Sequence, residues 1–186
     1  MRQTKLLLDT NTYLRLAQSI RPLLGREFGK EKHTLYIHNK IEIELNRSPR
    51  LQTKFSWIDG DEYTANRKKK LNISKEEKTN IETNFDFIWE FQKDIGYKLS
   101  QEDIYCIATA LELEIPLVTD DQNMIKTCIE FEVNFLSTLQ LLKLMFDNNL
   151  IDLSIVKQIV EYCDQCGRRI KKGWKYCAGC GTNCEC

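Results

Sequence analysis

The chain has 186 residues, with 27 Lys+Arg balanced by 27 Asp+Glu. A hydrophobic fraction of 42% can build a core, and zero net charge excludes a disordered polyelectrolyte. Mean hydropathy of -0.44 and the lack of a long apolar run argue against a transmembrane helix.

The N-terminal segment meets Asp9 directly after Leu6-Leu7-Leu8. An export signal needs an apolar stretch of about 7–15 residues, so a cytoplasmic location is expected. Lys5–Leu8 reads as a buried strand ended by Asp9-Thr10-Asn11. Tyr13, Leu14, Leu16 and Ala17 then follow helical spacing, and Thr34–Ile37 is a second strand. Asn39 with Glu42 has the capping-box form and predicts a helix to about Arg47.

Ser48–Ile73 is polar with weak periodicity and reads as a long excursion from the core. It carries Trp57 and the basic run Arg67-Lys68-Lys69-Lys70, which is either a binding patch or a solvated face. Helical spacing returns over Ser74–Ile95, closed by Gly96. Ser100 and Asp103 form a second capping-box pattern before a helix lined by Ile104, Ile107, Ala108 and Leu111. Pro116–Thr119 is a strand ended by Asp120-Asp121. A short helix (about Asn123 to Ile129), a strand (Val133–Leu136) and helices over Leu139–Phe146 and Leu153–Val160 follow. The last two helices could pair across a homodimer or pack on their own sheet. Strands alternating with helices predict an α/β fold with a parallel sheet covered by helices.

Six of the eight cysteines crowd the last 24 residues, dividing the chain into residues 1–160 and a small module at 161–186. Cys163-Asp164-Gln165-Cys166 and Cys177-Ala178-Gly179-Cys180 are paired Cys-x-x-Cys knuckles. Four thiolates so spaced can close on Zn²⁺, and an all-cysteine site is structural. This module resembles a short zinc ribbon. Arg168, Arg169, Lys171, Lys172, Trp174 and Lys175 lie between the knuckles. Cations with aromatics suit RNA binding, and the alternative is a solvated hairpin packed by Trp174. Cys184 and Cys186 are spare. Cys106 and Cys128 fall in helical segments and read as small buried apolar groups. His33 and His38 lack a ligand-spaced partner and read as surface or strand residues.

In open α/β sheets, chemistry collects beyond the carboxyl ends of the strands. Asp9 and Asp120-Asp121 each follow a strand, Glu44 lies on the helix after the second strand, and Asp103 opens the helix before the Asp120 strand. Clustered carboxylates repel one another, and a hard cation such as Mg²⁺ or Mn²⁺ relieves that repulsion.

Leu7-Leu8-Asp9-Thr10-Asn11, Ile43-Glu44-Leu45, Asp103 with Ile104 and Ala108, and Pro116–Asp121 together resemble the PIN-domain nucleases over about residues 4 to 136. The resemblance implies a PIN-like fold and a metal-dependent endoribonuclease that leaves a 5′-phosphate and a 3′-hydroxyl. Its catalytic and Mg²⁺- or Mn²⁺-binding acids map onto Asp9, Glu44, Asp103 and Asp121, with Asn11, Thr119 and Asn123 in supporting positions. Glu44 is favoured over Glu42, which serves the cap, and Asp121 over Asp120. Asp103 also has a capping role to Ser100. The biological role implied is that of a toxin or defence nuclease acting on single-stranded or looped RNA, with a protein inhibitor as a partner. PIN domains followed by zinc ribbons also resemble ribosomal-RNA maturation endonucleases. A non-catalytic RNA- or protein-binding adaptor is the reading from another class.

Overall fold

The computed structural model describes residues 4–47 and 49–160. The cysteine-rich module, with its zinc and RNA-binding expectations, lies outside the described residues. Strand β1 (Lys5–Leu8) leads into helix α1 (Thr10–Ala17). Strands β2 (Glu27–Phe28) and β3 (His33–Ile37) precede α2 (Ile41–Arg47). Helix α3 (Pro49–Lys54), a 3-10 turn (Ser56–Asp59) and α4 (Asp61–Arg67) come next. The long α5 (Lys75–Ile95) and α6 (Gln101–Glu112) precede β4 (Leu117–Val118). Helix α7 (Gln122–Glu130), β5 (Phe135–Leu136), α8 (Thr138–Asp147) and α9 (Leu153–Val160) complete the described chain.

The five strands form one mixed, mostly parallel sheet in the order β2-β3-β1-β4-β5. Only the edge strand β2, absent from the sequence reading, runs antiparallel. The sheet is buried on both faces. Leu6, Leu8, Leu35, Ile37 and Val118 pack into one core with α1, α2, α8 and α9. Leu7 and Leu117 point the other way, into a second core with α5, α6 and α7. Strand side chains alternate between faces, so an unbroken leucine run fits a sheet covered on both sides.

Helices begin and end where the polar residues direct. Ser74, Ser100 and Ser137 each form a complete capping box, with Glu77, Asp103 and Gln140 as partners. Gly96 ends α5 at φ 72°, a left-handed position that suits glycine. The Asn39–Glu42 cap does not form. Asn39 Oδ1 is buried without a partner, and Glu42 instead binds Arg67, Nε to Oε1 at 2.7 Å.

The 48–73 excursion is also corrected. Residues 49–67 form three short helical segments rather than a loop, and Ile58, Tyr63 and Leu71 are buried. Arg67 is 2% exposed and donates to Ile58 O as well as to Glu42. The basic run therefore leaves Lys68, Lys69 and Lys70 exposed and takes Arg67 inside. Weak periodicity hid these helices because each is short and anchored by few residues. Helices α8 and α9 pack on their own sheet through Leu141, Leu142, Met145 and Ile159. Among the described residues no helix is long and apolar enough to cross a membrane.

Candidate active site

Strands β3, β1 and β4 run in parallel, with Ile37 and Val118 both in register with Leu8. One residue further on, at the same sheet edge, stand His38, Asp9 and Thr119.

Asp9 is 3% exposed and caps α1, with Oδ1 accepting from Thr12 N at 2.6 Å. Its Oδ2 accepts from Thr119 Oγ1, also at 2.6 Å. Burial pushes its carboxyl up to about 6 against the pull of these two threonines, and the charge of Asp103 adds to the rise.

Glu44 is half-buried on α2 and accepts from Thr10 Oγ1. Burial raises it to about 7; the Thr10 hydrogen bond opposes this, and the charges of Asp103, Glu102 and Asp9 add to it. Asp103 sits in the first turn of α6, half-buried, with Oδ2 accepting from Ser100 N at 3.0 Å. The capping role and a place in the acidic cluster are thus compatible. Its carboxyl is raised by burial, against the Ser100 hydrogen bonds and with the charges of Asp121 and Glu102.

Asp121 is exposed and caps α7, with Oδ1 accepting from Asn123 N at 2.8 Å and Met124 N at 2.9 Å. Thr119 Oγ1 also accepts from Asp121 N, so one hydroxyl bridges the Asp9 and Asp121 segments. Asn11, Asp9 and Asp121 line a small cavity of about 60 Å³ with Thr12, Arg15, Asp120 and Thr138. Asn123 contributes backbone, donating to Asp121 and accepting from Thr127 Oγ1.

Asp120 is committed elsewhere. Its Oδ2 pairs with Arg15 at 3.1 Å and its Oδ1 accepts from Thr138 N at 2.9 Å. It ties α1 to the start of α8, which separates its work from that of Asp121.

The four acids are thus linked electrostatically: Asp103 raises Asp9 and Glu44, Asp9 raises Glu44, and Asp121 raises Asp103. Among the described residues no three His, Cys, Asp or Glu side chains form a ready-made metal set. The donor chemistry nonetheless suits a hard cation. Glu44 Oε1, Asp103 Oδ1 and Asp121 Oδ2 take no hydrogen bond among the described residues. Carboxylates raised by burial and by one another's charge gain from a shared divalent ion.

Thr10 and Arg15 are the residues missed from sequence. Thr10 lies inside the Asp9-Thr10-Asn11 run, so its neighbour was a signal; nothing local marks Arg15. His38, read as a surface or strand residue, lies one residue past β3 and is buried. It is 1% exposed, with Nδ1 unpartnered, and burial together with Lys40 and Lys70 lowers it to about 4. His33 lies within β3 at 9% exposure. Cys106 and Cys128 are buried free thiols whose burial raises them, Cys128 to about 12.

No protein-family model and no curated protein matches the chain. Among solved structures, the chain is similar to FitAcB from Neisseria gonorrhoeae, with 15% identity and a TM-score of 0.46 over 72% of this chain and 98% of that one. It is also similar to VapBC-1 from nontypeable Haemophilus influenzae, with 16% identity and a TM-score of 0.45 over 73% and 99%. A likeness of this degree carries no functional argument, and the chemistry of the site stands on its own residues.

Proposed function

We propose that this protein is a Mg²⁺- or Mn²⁺-dependent endoribonuclease. The observation that carries the reading is the gathering of Asp9, Glu44, Asp103 and Asp121 around the ends of parallel strands, three of them with raised carboxyls. These four would hold the ion. When bound, a divalent ion activates water and neutralises charge building on the scissile phosphate.

The chain's own groups prepare that site. Thr119 and Thr12 hold both oxygens of Asp9 in a fixed orientation. Thr10 holds Glu44 from the residue next to Asp9. Asn11 faces the small cavity between Asp9 and Asp121. Preorganised donors limit the reorganisation needed when charge develops.

The chain would act on single-stranded or looped RNA as a toxin or defence nuclease held in check by a protein inhibitor. This role rests on the family resemblance of its sequence motifs. The 161–186 module would carry a structural Zn²⁺ on Cys163, Cys166, Cys177 and Cys180, with its basic residues gripping RNA. Elemental analysis should find about one zinc per chain, lost when Cys177 and Cys180 are replaced by Ser.

The test is cleavage of a mixed RNA pool with Mn²⁺ or Mg²⁺, beside Asp9→Asn and EDTA controls. Metal-dependent cleavage absent from Asp9→Asn supports the reading. RNA binding with no cleavage under any metal would make the chain a binding adaptor instead.

A further inference from the structure

Beside the acidic cluster lies a groove of about 190 Å³ lined by Lys40, Ile43, Arg47, Phe85, Gln101 and Glu102. It is bounded by the elements that carry Glu44 and Asp103. Ile43 and Arg47 flank Glu44 on α2, and Gln101 and Glu102 precede Asp103 on α6. Glu102 marks the junction, because its charge acts on both Glu44 and Asp103.

Three features make this groove unlike a solvated helix junction. First, an apolar floor is left uncovered: Ile43 is 43% exposed, and Phe85 is half-buried and stacks on Trp89 at 6.0 Å with planes 10° apart. Second, Lys40 is held in place. Its ammonium lies 3.6 Å from the centre of the Tyr105 ring and 5.8 Å from that of Phe85, with Glu82 at 3.4 Å. Third, Arg47 is exposed and has no ion-pair partner among the described residues. A flat apolar surface, a fixed cation, an exposed guanidinium and an amide-bearing Gln101 suit an unpaired nucleotide. Its base can lie on an aromatic side chain while its phosphate meets a cation.

We propose that this groove is a nucleotide-binding subsite that holds one unpaired residue of a single-stranded RNA next to the scissile bond. Arg47 contacts the backbone phosphate, Phe85 and Ile43 receive the base, and Gln101 faces its edge. The proposal rests on the nuclease reading for its position beside the reacting phosphate, but binding can be measured without cleavage.

The experiment uses the full chain carrying Asp9→Asn without added Mg²⁺ or Mn²⁺ or any chelator, with a fluorescein-labelled oligouridylate followed by anisotropy. Phe85→Leu, which keeps the apolar bulk, should weaken binding about tenfold. Arg47→Gln should weaken it and reduce the slope of log affinity against log salt by about 0.7, one phosphate contact on a single strand. Phe87→Ala, on the same helix but outside the groove, should change neither. In the cleaving protein, Phe85→Leu and Arg47→Gln should raise KM with kcat retained. Unaltered affinity and salt slope in both groove variants overturn the subsite, while cleavage by the parent protein leaves the nuclease reading intact. A parent that neither binds nor cleaves RNA removes both.

Discussion

Thr119 Oγ1 donates to Asp9 Oδ2 at 2.6 Å and accepts from Asp121 N at 3.1 Å, joining the ends of β1 and β4 through one hydroxyl. Asp9 and Asp121 are far apart in sequence, so this bridge fixes two of the four acids relative to each other.

Thr119→Val keeps the side-chain shape and removes both bonds. It should cost about 1.5–3 kcal/mol in urea unfolding, the range for a buried hydrogen bond to a charged group. The Thr119 bond lowers the Asp9 carboxyl, so its loss should move Asp9 above about 6 and shift the acidic limb of the cleavage profile to higher pH. Thr119→Ser should restore both. An unshifted profile in the valine variant would show that the bridge does not tune Asp9.

Metal-free protein should become less stable as pH rises. Asp9 is raised from 3.8 to about 6 and Glu44 from 4.5 to about 7. Between these limits Asp9 and Glu44 hold more protons folded than unfolded, so their contribution is full below the unfolded values and lost as pH rises through the folded ones; His38, lowered from 6.5 to about 4, opposes part of it between those values. Melting without added Mg²⁺ or Mn²⁺ should therefore occur at lower temperature at about pH 8 than at about pH 5. Mn²⁺ should restore stability at the higher pH, and Asp9→Asn should flatten both responses. A pH dependence as steep in Asp9→Asn as in the parent contradicts the assignment of Asp9.

Asp120 and Asp121 should separate cleanly. Asp121→Asn keeps an oxygen to cap α7, so it should fold normally and lose cleavage. Asp120→Ala breaks the Arg15 pair and the bond from Thr138 N. It should lower stability by about 1 kcal/mol, as for a lost cap, and retain cleavage. Circular dichroism beside the RNA assay reads both effects, and the reverse pattern would exchange their roles.

Arg67→Ala should destabilise the fold by about 1–3 kcal/mol, because the carbonyl of Ile58 is left without its buried partner. Lys68→Ala and Lys69→Ala should each stay within about 0.5 kcal/mol, as for exposed side chains. Chemical denaturation of the three variants checks whether the basic run is one patch or a buried anchor beside exposed lysines.

The amino-acid sequence by itself determined the alternation of strands and helices, the Ser100–Asp103 capping box, the Gly96 stop and the placement of Asp9 and Asp121 at strand ends. Those features depend on neighbours within a few residues: apolar runs, polar caps and a left-handed turn. Tertiary structure decided the rest. Asn39 and Glu42 have capping spacing, yet Arg67 arrives from α4 and takes the carboxylate. Asp120 and Asp121 are chemically equivalent in sequence; Arg15 and Thr138 from distant elements claim one of them. His38 is polar, but one residue past β3 it is buried, with its ring against that of Tyr105 from α6. The 48–73 segment carries too little periodicity to announce its helices, and it folds because a few side chains, Ile58, Tyr63, Arg67 and Leu71, find the interior. Local pattern sets where elements begin, whereas competition among distant partners sets which polar groups are left for chemistry.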